Sequence, residues 1–283
     1  LRAWQGRDAG ISLPFSMVAQ AVCCLLLNGA PDTQTARTTS RTDSMPSDRD
    51  LEAPVSGWTP PPRPEFDVLE GRWARIERLD PGRHAADLFD ANRVSDRIWD
   101  YLPYGPFAKQ GDYSDWLSSV SPSEDPRFHA IQDRESGRFA GVASYLRIAP
   151  DAGSIEVGHI NFAPELQRTR AATEAMFLMM KWAFDAGYRR YEWKCNAANL
   201  GSRSAAQRLG LSYEGIFRQA AVIKGRNRDT AWFAAIDAEW PALKDAFENW
   251  LVPDNFTADG AQIQSLADLT CPILVARDPV IDA

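Results

Sequence analysis

The residues with the clearest potential for chemistry lie in a short loop, Gln167–Thr173 (QRTRAAT), between a predicted strand and a long apolar helix. Small residues let a ligand approach the backbone, and the N–H groups of a first helical turn lack partners, which together favour an anion. Arg168 and Arg170 add positive charge. The loop therefore indicates a phosphate site, although an ordinary strand–loop–helix connection with two solvated arginines would have the same composition.

A second polar segment follows the next predicted strand and opens a short helix. It runs over residues 196–211 (NAANLGSRSAAQRLGL), with Asn199 three residues before Ser202 and Leu-Gly-Leu at its end. Asparagine and serine are typical of helix N-termini and tight turns, where their side chains accept backbone N–H groups. The same side chains are able to bind a polar ligand, so the spacing alone leaves both roles open.

Together the two segments resemble the GNAT superfamily of acyl-CoA-dependent N-acyltransferases, in style closest to the Rim-type ribosomal-protein N-terminal acetyltransferases. The family's loop is Gln/Arg-x-x-Gly-x-Gly/Ala, and this chain has Gln167 and Ala172 at its ends but Arg170 at the central glycine. A residue with a Cβ does not adopt glycine-only conformations, so we expect the loop to differ there. The family's Asn-x-x-Ser pattern is matched by Asn199 and Ser202.

The resemblance implies a binding site for acetyl-CoA, the co-substrate, and no metal. The loop would hold the pyrophosphate, and the pantetheine arm would lie between two splayed parallel strands, Ile155–Phe162 and Tyr191–Asn196. The residues implied to contact the cofactor are Asn161 and Phe162, through their backbones, Gln167, Arg168, Thr169, Arg170, Ala171, Ala172 and Thr173 in the loop, and Asn199.

Acyl transfer from a thioester to an amine needs a base for the amine and stabilisation of the developing charge, and a donor to the departing sulfur assists it. Glu156 matches the acidic residue of the Rim-type pattern, so we expect it to be the base; a strand-face glutamate in a salt bridge is the alternative. Ser202 is implied to hydrogen-bond the sulfur, or else only caps its helix. The helix tyrosine of many relatives is replaced here by Ala206.

The aromatic segment Trp99–Trp116 (WDYLPYGPFAKQGDYSDW) corresponds by resemblance to the wall of the acceptor site. Tyr101, Tyr104 and Phe107 are therefore candidate substrate contacts, although they are equally able to pack the loop against the domain. Aspartates in this segment, and a formal net charge of −7 for the chain, suit a cationic amine acceptor.

Two further reactive side chains lie near the predicted site, His159 and Cys195. A histidine on a strand is more often hydrogen-bonded structure than a proton relay, and a nucleophilic cysteine needs a paired histidine, which no spacing here supports. We therefore expect both to be structural.

The elements that must position these residues follow the order β, α, α, β, β, β, α, β, α, β, β, which predicts an α+β protein with an antiparallel majority. Alternating residues predict one strand over Glu70–Leu79, and Thr173–Ala186, apolar nearly all round, predicts a buried helix. The resemblance implies the GNAT fold: a mixed, mostly antiparallel central sheet, with two splayed parallel strands forming the acyl-CoA slot and helices on both sides.

Composition predicts one folded domain over residues 64–256, which the resemblance identifies as the GNAT domain, between a disordered leader (1–63) and a C-terminal tail (257–283). Residues 31–49 hold almost no aliphatic side chains, and Trp58–Pro64 is proline-rich. We expect Met45 to be the true start, with residues 1–44 not native sequence. The alternative is a secretory signal, for which Ile11–Leu27 would be the apolar region.

Overall composition excludes several classes. The 283 residues are 45% hydrophobic and 24% charged, which is globular rather than collagenous or coiled-coil, and the 4 cysteines have no metal-site spacing. A net-acidic chain is a poor binder of nucleic acid. The apolar N-terminal segment is short for a membrane span. We expect neither a membrane nor direct nucleic-acid contacts among the partners.

We therefore expect a cytoplasmic N-acetyltransferase that transfers acetyl directly from acetyl-CoA to a primary amine within a ternary complex. The acceptor would be a protein N-terminus or a small-molecule amine, and the protein a monomer or homodimer. The alternatives are a non-catalytic acyl-CoA-binding or regulatory module, if the changes at Arg170 and Ala206 abolish activity, and a secreted binding protein, if the leader is a true signal.

Overall fold

An eight-stranded sheet forms the centre of the computed structural model, which describes residues 54–282. The sheet order is β1-β2-β3-β4-β5-β6-β8-β7, and only the β5–β6 pair is parallel among these described strands. The predicted mixed, mostly antiparallel sheet is confirmed. The strands are β1 (Val68–Glu70), β2 (Ala74–Arg78), β3 (Arg127–Asp133), β4 (Phe139–Ala149), β5 (Ser154–Phe162), β6 (Arg190–Asn196), β7 (Ser212–Ile223) and β8 (Arg226–Ile236).

Helices cover both faces of the sheet. One face, here the α1 face, packs against α1, α2 and a 3₁₀ turn, and the opposite α3 face packs against α3 and α5. The 3₁₀ turn, Asp96–Trp99, stands where the sequence predicts a second short helix. The helices are α1 (Pro81–Asn92), α2 (Gln110–Val120), α3 (Arg170–Asp185), α4 (Leu200–Arg208), α5 (Trp240–Leu251) and α6 (Leu266–Thr270).

The predicted strand Glu70–Leu79 in fact covers the end of β1, a tight turn and β2, and β1 and β2 pair antiparallel. The buried carboxylate of Glu174, in α3, accepts the backbone N–H groups of residues 72–74 at 2.5–2.9 Å. A Cβ on Gly71 would lie 2.3 Å from that carboxylate, so only glycine leaves room for it. Alternation does not reveal this turn because its partner lies a hundred residues away in the sequence.

The proline-rich segment Trp58–Pro64, predicted to belong to a disordered leader, is neither helix nor strand, but it packs on the domain. Tyr188 Oη donates to the carbonyl oxygen of Pro62 at 3.0 Å, and the Trp58 ring lies against Gly153. The domain therefore begins before residue 64. The expectations for Ile11–Leu27 and Met45 lie outside the described residues.

The C-terminal segment, predicted to be a tail, is also part of the domain. Asp278 is fully buried and forms an ion pair with Arg203 of α4, the Nε–Oδ2 distance being 2.5 Å. Leu266 of α6 is fully buried, and Thr270 Oγ1 donates to the carbonyl oxygen of Arg208 at 3.0 Å. Composition missed this because the segment is held by a few long-range contacts rather than by a dense run of apolar residues.

Acid is expected to destabilise the fold through His129. This side chain is fully buried, and burial, with the charges of Arg127 and Arg78, lowers the pKa of His129 to about 3. The folded state then binds fewer protons than the unfolded state below pH 6.5, so stability is complete above pH 6.5 and falls as the pH drops towards 3. At pH 4.5 this amounts to about 2–3 kcal/mol.

Urea unfolding of wild type and His129→Leu at pH 7 and pH 4.5 checks this expectation. The wild type should lose about 2–3 kcal/mol more than the variant between the two pH values, since leucine has nothing to protonate. Equal losses in the two proteins would show that His129 does not control acid stability.

Candidate active site

The two parallel strands separate partway along their length. Residues 154–157 of β5 pair with 190–193 of β6, but beyond them β5 pairs only with β4. The cause is a bulge in β5, where His159 and Ile160 together lie opposite Ala143, and His159 adopts a left-handed φ of 49°. A bulge bends its strand, so β5 turns away from β6 and opens a gap. The predicted pair of splayed parallel strands is confirmed.

A cleft of about 1280 Å³ passes through this gap and connects the two faces of the sheet. Ile155, Val157 and Trp193 pack into the core of the α3 face. Because side chains alternate along a strand, Glu156 and Lys194 point to the α1 face. We call the two parts the α3 side and the α1 side of the cleft.

On the α3 side, the first turn of α3 presents free N–H groups. Thr169 caps the helix, its Oγ1 accepting the N–H of Ala172 at 3.0 Å. The N–H groups of Arg170 and Ala171 have no acceptor among the described residues. A first turn in this state favours an anion, as the loop sequence predicts.

Arg170 stands where the family's loop has glycine, and its Cβ led us to expect a different loop conformation there. In the structure, Arg170 is the first residue of α3, and the left-handed residue of the loop is Arg168, with φ 62°. The Arg170 guanidinium lies 4.0 Å from the centre of the Trp73 ring and 5.1 Å from that of Phe256, and Nη2 is 3.3 Å from Oε2 of Glu135. A Cβ is therefore accommodated, and the side chain packs against aromatic rings at the edge of the cleft.

All the residues predicted to contact the cofactor line this cleft. Gln167 Nε2 donates to the carbonyl oxygen of Phe162 at 2.8 Å, which fixes the chain leaving β5. Asn199 caps α4 by accepting the N–H of Ser202 at 3.1 Å. Asn161 is buried, and its Oδ1 has no partner among the described residues.

Arg208 is a lining residue that sequence reasoning missed. Its Nη1 donates to Thr173 Oγ1 at 3.2 Å beside the first turn of α3, and its guanidinium lies over the Trp250 ring. Burial lowers the pKa of Arg208 from its ordinary value, and no described carboxylate pairs with it. An arginine in a last helical turn is common on any helix, so no sequence signal marked it.

On the α1 side, Glu156 is 3% exposed and forms part of an ion-pair network. Its Oε2 lies 2.6 Å from Arg147 Nη1 and 2.9 Å from Lys194 Nζ. Lys194 also pairs with Glu192 at 2.7 Å and lies 3.7 Å from the centre of the Trp232 ring. The alternative of a salt-bridged glutamate is thus correct as a description, and this glutamate also lines the cleft.

Ser202 lies on the α3 side of the gap. Its Oγ accepts the Trp193 Nε1–H at 3.0 Å, and indole only donates, so Ser202 keeps its own hydroxyl proton to donate, with the Cys195 sulfur as one acceptor within reach. The idea that Ser202 caps α4 is wrong, because Asn199 is the cap. The nearby Cys195 has its pKa raised by burial, which the Ser202 hydroxyl opposes, so a protonated core cysteine is favoured.

Of the three side chains in the aromatic segment that are predicted to contact the substrate, one lines the cleft. Tyr101 lines the cleft, and its Oη donates to the carbonyl oxygen of Ala198 at 3.1 Å. Tyr104 and Phe107 are not among the described residues that line it. The Tyr104 ring stacks on His159 and Phe107 packs into the aromatic core of the α1 face, because these rings bury more surface there.

His159 is held by Tyr104, whose Oη lies 3.2 Å from Nδ1. Burial, together with the charges of Arg147 and Arg228, lowers the pKa of His159 to about 4. The imidazole is therefore neutral near pH 7, as expected for a hydrogen-bonded structural histidine.

Among residues 54–282, no three His, Cys, Asp or Glu side chains are grouped to hold a metal ion. No helix within the same residues is both long and apolar enough to cross a bilayer.

Comparisons with known proteins agree with this geometry. A family model described as an acetyltransferase (GNAT) domain matches residues 75–212. A GCN5-related N-acetyltransferase from Brucella melitensis is 45% identical, with 77% of this chain and 100% of that chain covered and a TM-score of 0.75. A probable acetyltransferase of the GNAT family from Chromobacterium violaceum is 39% identical, with 68% and 97% covered and a TM-score of 0.64.

A more distant structure shares only the fold. The microcin C7 self-immunity acetyltransferase MccE, in complex with acetyl-CoA and AMP, is 17% identical, with 59% of this chain and 93% of that chain covered and a TM-score of 0.53. No curated protein sequence is significantly similar to the chain. The identity and coverage of the two bacterial relatives confirm the predicted resemblance: the chain belongs to the GNAT acetyltransferase family.

Proposed function

We propose that this protein is an acetyl-CoA-dependent N-acetyltransferase that moves the acetyl group directly to a primary amine in a ternary complex. The observation that carries the proposal is the gap between β5 and β6, which has an anion-binding helix turn on its α3 side and the buried carboxylate of Glu156 on its α1 side. Membership of an acetyltransferase family supports acetyl transfer as the general reaction.

The α3 side fits the cofactor. The free N–H groups of Arg170 and Ala171, with the guanidinium of Arg208 beside them, suit a pyrophosphate. Beyond Val157, the edge of β5 that faces β6 has no partner strand in the described structure, so its backbone groups are able to pair with the amides of a pantetheine arm, as an added strand would. MccE, which shares the fold, was crystallised with acetyl-CoA.

The two polar side chains on either side of the gap suit the two proton requirements of the reaction. As the amine nitrogen bonds to the carbonyl carbon, the Glu156 carboxylate accepts the amine proton, directly or through water. The carbon–sulfur bond breaks with its electron pair on sulfur, and the hydroxyl of Ser202, which accepts from Trp193 and keeps its own proton to donate, hydrogen-bonds that sulfur. Arg147 and Lys194 hold the carboxylate in place.

Thiol release from acetyl-CoA, measured with a panel of primary amines and serine-initiated peptides, tests the proposal. Release should require the amine, and mass spectrometry should find one acetylated amine for each thiol formed. Binding of acetyl-CoA without turnover on any amine would instead favour a non-catalytic acyl-CoA-binding module.

Arg208→Gln is expected to weaken acetyl-CoA binding about tenfold, because a charge-assisted hydrogen bond to phosphate contributes about 1.5–3 kcal/mol. Calorimetric titration with acetyl-CoA measures this effect. Turnover of S-acetylpantetheine, which has no pyrophosphate, is the control and should change less than twofold. An unchanged Kd for acetyl-CoA would show that Arg208 does not face the phosphates.

A further inference from the structure

We propose that the acceptor amine carries an anionic group, a carboxylate or a phosphate, which Arg228 and Arg97 bind on the α1 side of the cleft. The inference rests on the proposed function and names the class of acceptor for the same site. It reverses the expectation that a net-acidic chain should select a cationic acceptor.

The fold places Arg228 on the same side as the reactive carboxylate. In β8, Ala231 and Phe233 pack into the core of the α3 face, so Arg228, three and five residues before them, faces the α1 side. Trp232 shares that face, and Lys194 lies over its ring. Arg228 is therefore continuous with the polar surface that holds Glu156.

The segment that holds Arg97 is tied to the hairpin that holds Arg228. Lys224, at the turn between β7 and β8, donates from Nζ to the carbonyl oxygen of Trp99 at 2.9 Å. Trp99 ends the 3₁₀ turn that includes Arg97, and both arginines line the cleft. The hairpin and the 3₁₀ turn thus form adjoining walls.

Charge on the α1 side is strongly unbalanced. Four cations line it, namely Arg97, Arg147, Lys194 and Arg228, against one carboxylate, Glu156. Arg147 and Lys194 already pair with that carboxylate, whereas Arg97 and Arg228 pair with no described carboxylate. The other acidic lining residues belong to the β3–β4 turn, where one of them pairs with Arg170.

The Arg228 guanidinium also has a hydrogen-bond donor without an acceptor. Its Nε is buried and has no partner among the described residues. A buried donor without a partner is costly, and a carboxylate or phosphate satisfies guanidinium N–H groups in pairs. Arg147 and Arg228 line the cleft together with His159 of the β5 bulge, and their charges help to lower the pKa of that imidazole.

Matched pairs of acceptors test the proposal through kcat/KM for thiol release at saturating acetyl-CoA. The carboxylate arm compares β-alanine with β-alaninamide, and the phosphate arm compares O-phosphoethanolamine with ethanolamine. We expect the anionic member of at least one pair to be preferred tenfold or more, and the arm that shows it identifies the group. Equal kcat/KM within both pairs, or preference for the neutral members, would overturn the proposal.

Arg228→Gln should reduce this preference at least tenfold, and Arg97→Gln, at an exposed position, gives the same test should the first variant fold poorly. Arg226→Gln is the matched control, since Arg226 is exposed on the same strand and does not line the cleft. A preference that survives both Arg228→Gln and Arg97→Gln would refute the assignment to these arginines.

Measuring the affinity for the amines distinguishes failure of this proposal from failure of the proposed function. Calorimetry with the CoA-bound protein measures the affinities of the same four amines without turnover. If no amine is acetylated but the anionic members bind tighter, the acetyltransferase proposal fails and the anion site stands. If turnover occurs with no preference for the anionic amines in rate or affinity, the acetyltransferase proposal stands and the anion-site proposal fails.

Discussion

Glu156→Gln is expected to lower kcat about 100-fold or more while changing the Kd for acetyl-CoA less than twofold. The amide has nearly the same shape as the carboxylate but does not accept the amine proton, and a positioned general base contributes about 10²–10⁴ in rate. Glu156 lies on the α1 side of the gap, away from the first turn of α3, so cofactor binding should be spared. Steady-state kinetics at saturating amine measure kcat.

Glu192→Gln is the matched control for this prediction. Glu192 also pairs with Lys194, at 2.7 Å, but it does not line the cleft. Removing its charge disturbs the same lysine without removing the proposed base, so kcat should fall less than threefold. A Glu156→Gln enzyme that keeps more than a third of the wild-type kcat, or behaves like Glu192→Gln, would remove Glu156 from the mechanism.

The second large effect is on stability. Asp278→Ala is expected to lower the free energy of unfolding by about 3–5 kcal/mol, because it leaves the guanidinium of Arg203 buried and unpaired. The Arg203 side chain is 4% exposed and that of Asp278 is fully buried, and Arg203 also donates to the carbonyl oxygen of Ala197 beside α4. Urea unfolding followed by circular dichroism measures the change.

Asp282→Ala is the control for the C-terminal segment. Asp282 pairs with Arg277 at 3.8 Å on the surface, and an exposed pair of this kind contributes about 0–1 kcal/mol. Replacing the buried pair by apolar residues, as in Arg203→Met/Asp278→Leu, should recover much of the lost stability, since no charge is then stranded. An Asp278→Ala protein within 1 kcal/mol of wild type would show that the segment does not support α4.

Local sequence patterns were sufficient to predict the elements whose structure is determined by residues close together in the chain. β5 (Ser154–Phe162) and β6 (Arg190–Asn196) each begin one residue before the predicted bounds, Ile155–Phe162 and Tyr191–Asn196, and end where predicted. The loop before α3 and the Asn199 cap follow from small residues and cap residues at fixed spacing. These features depend on contacts between residues a few positions apart, which a sequence displays directly.

The features that sequence reasoning missed depend on distant partners. The turn between β1 and β2 forms around Glu174, the C-terminal segment is held by the pair Arg203–Asp278, and Arg208 reaches the cleft only because α4 docks beside α3. The net charge of −7 averages the whole surface, so it does not reveal the cations that the fold gathers on one side of the cleft.

The structure of the complex with acetyl-CoA tests the central claim most directly. The pyrophosphate should bind the N–H groups of Arg170 and Ala171, and the pantetheine arm should lie between β5 and β6. The thioester should then sit in the gap, with the Ser202 hydroxyl towards sulfur and Glu156 towards the acceptor. A cofactor bound elsewhere, or a thioester outside the gap, would contradict the assignment of this cleft as the acetyl-transfer site.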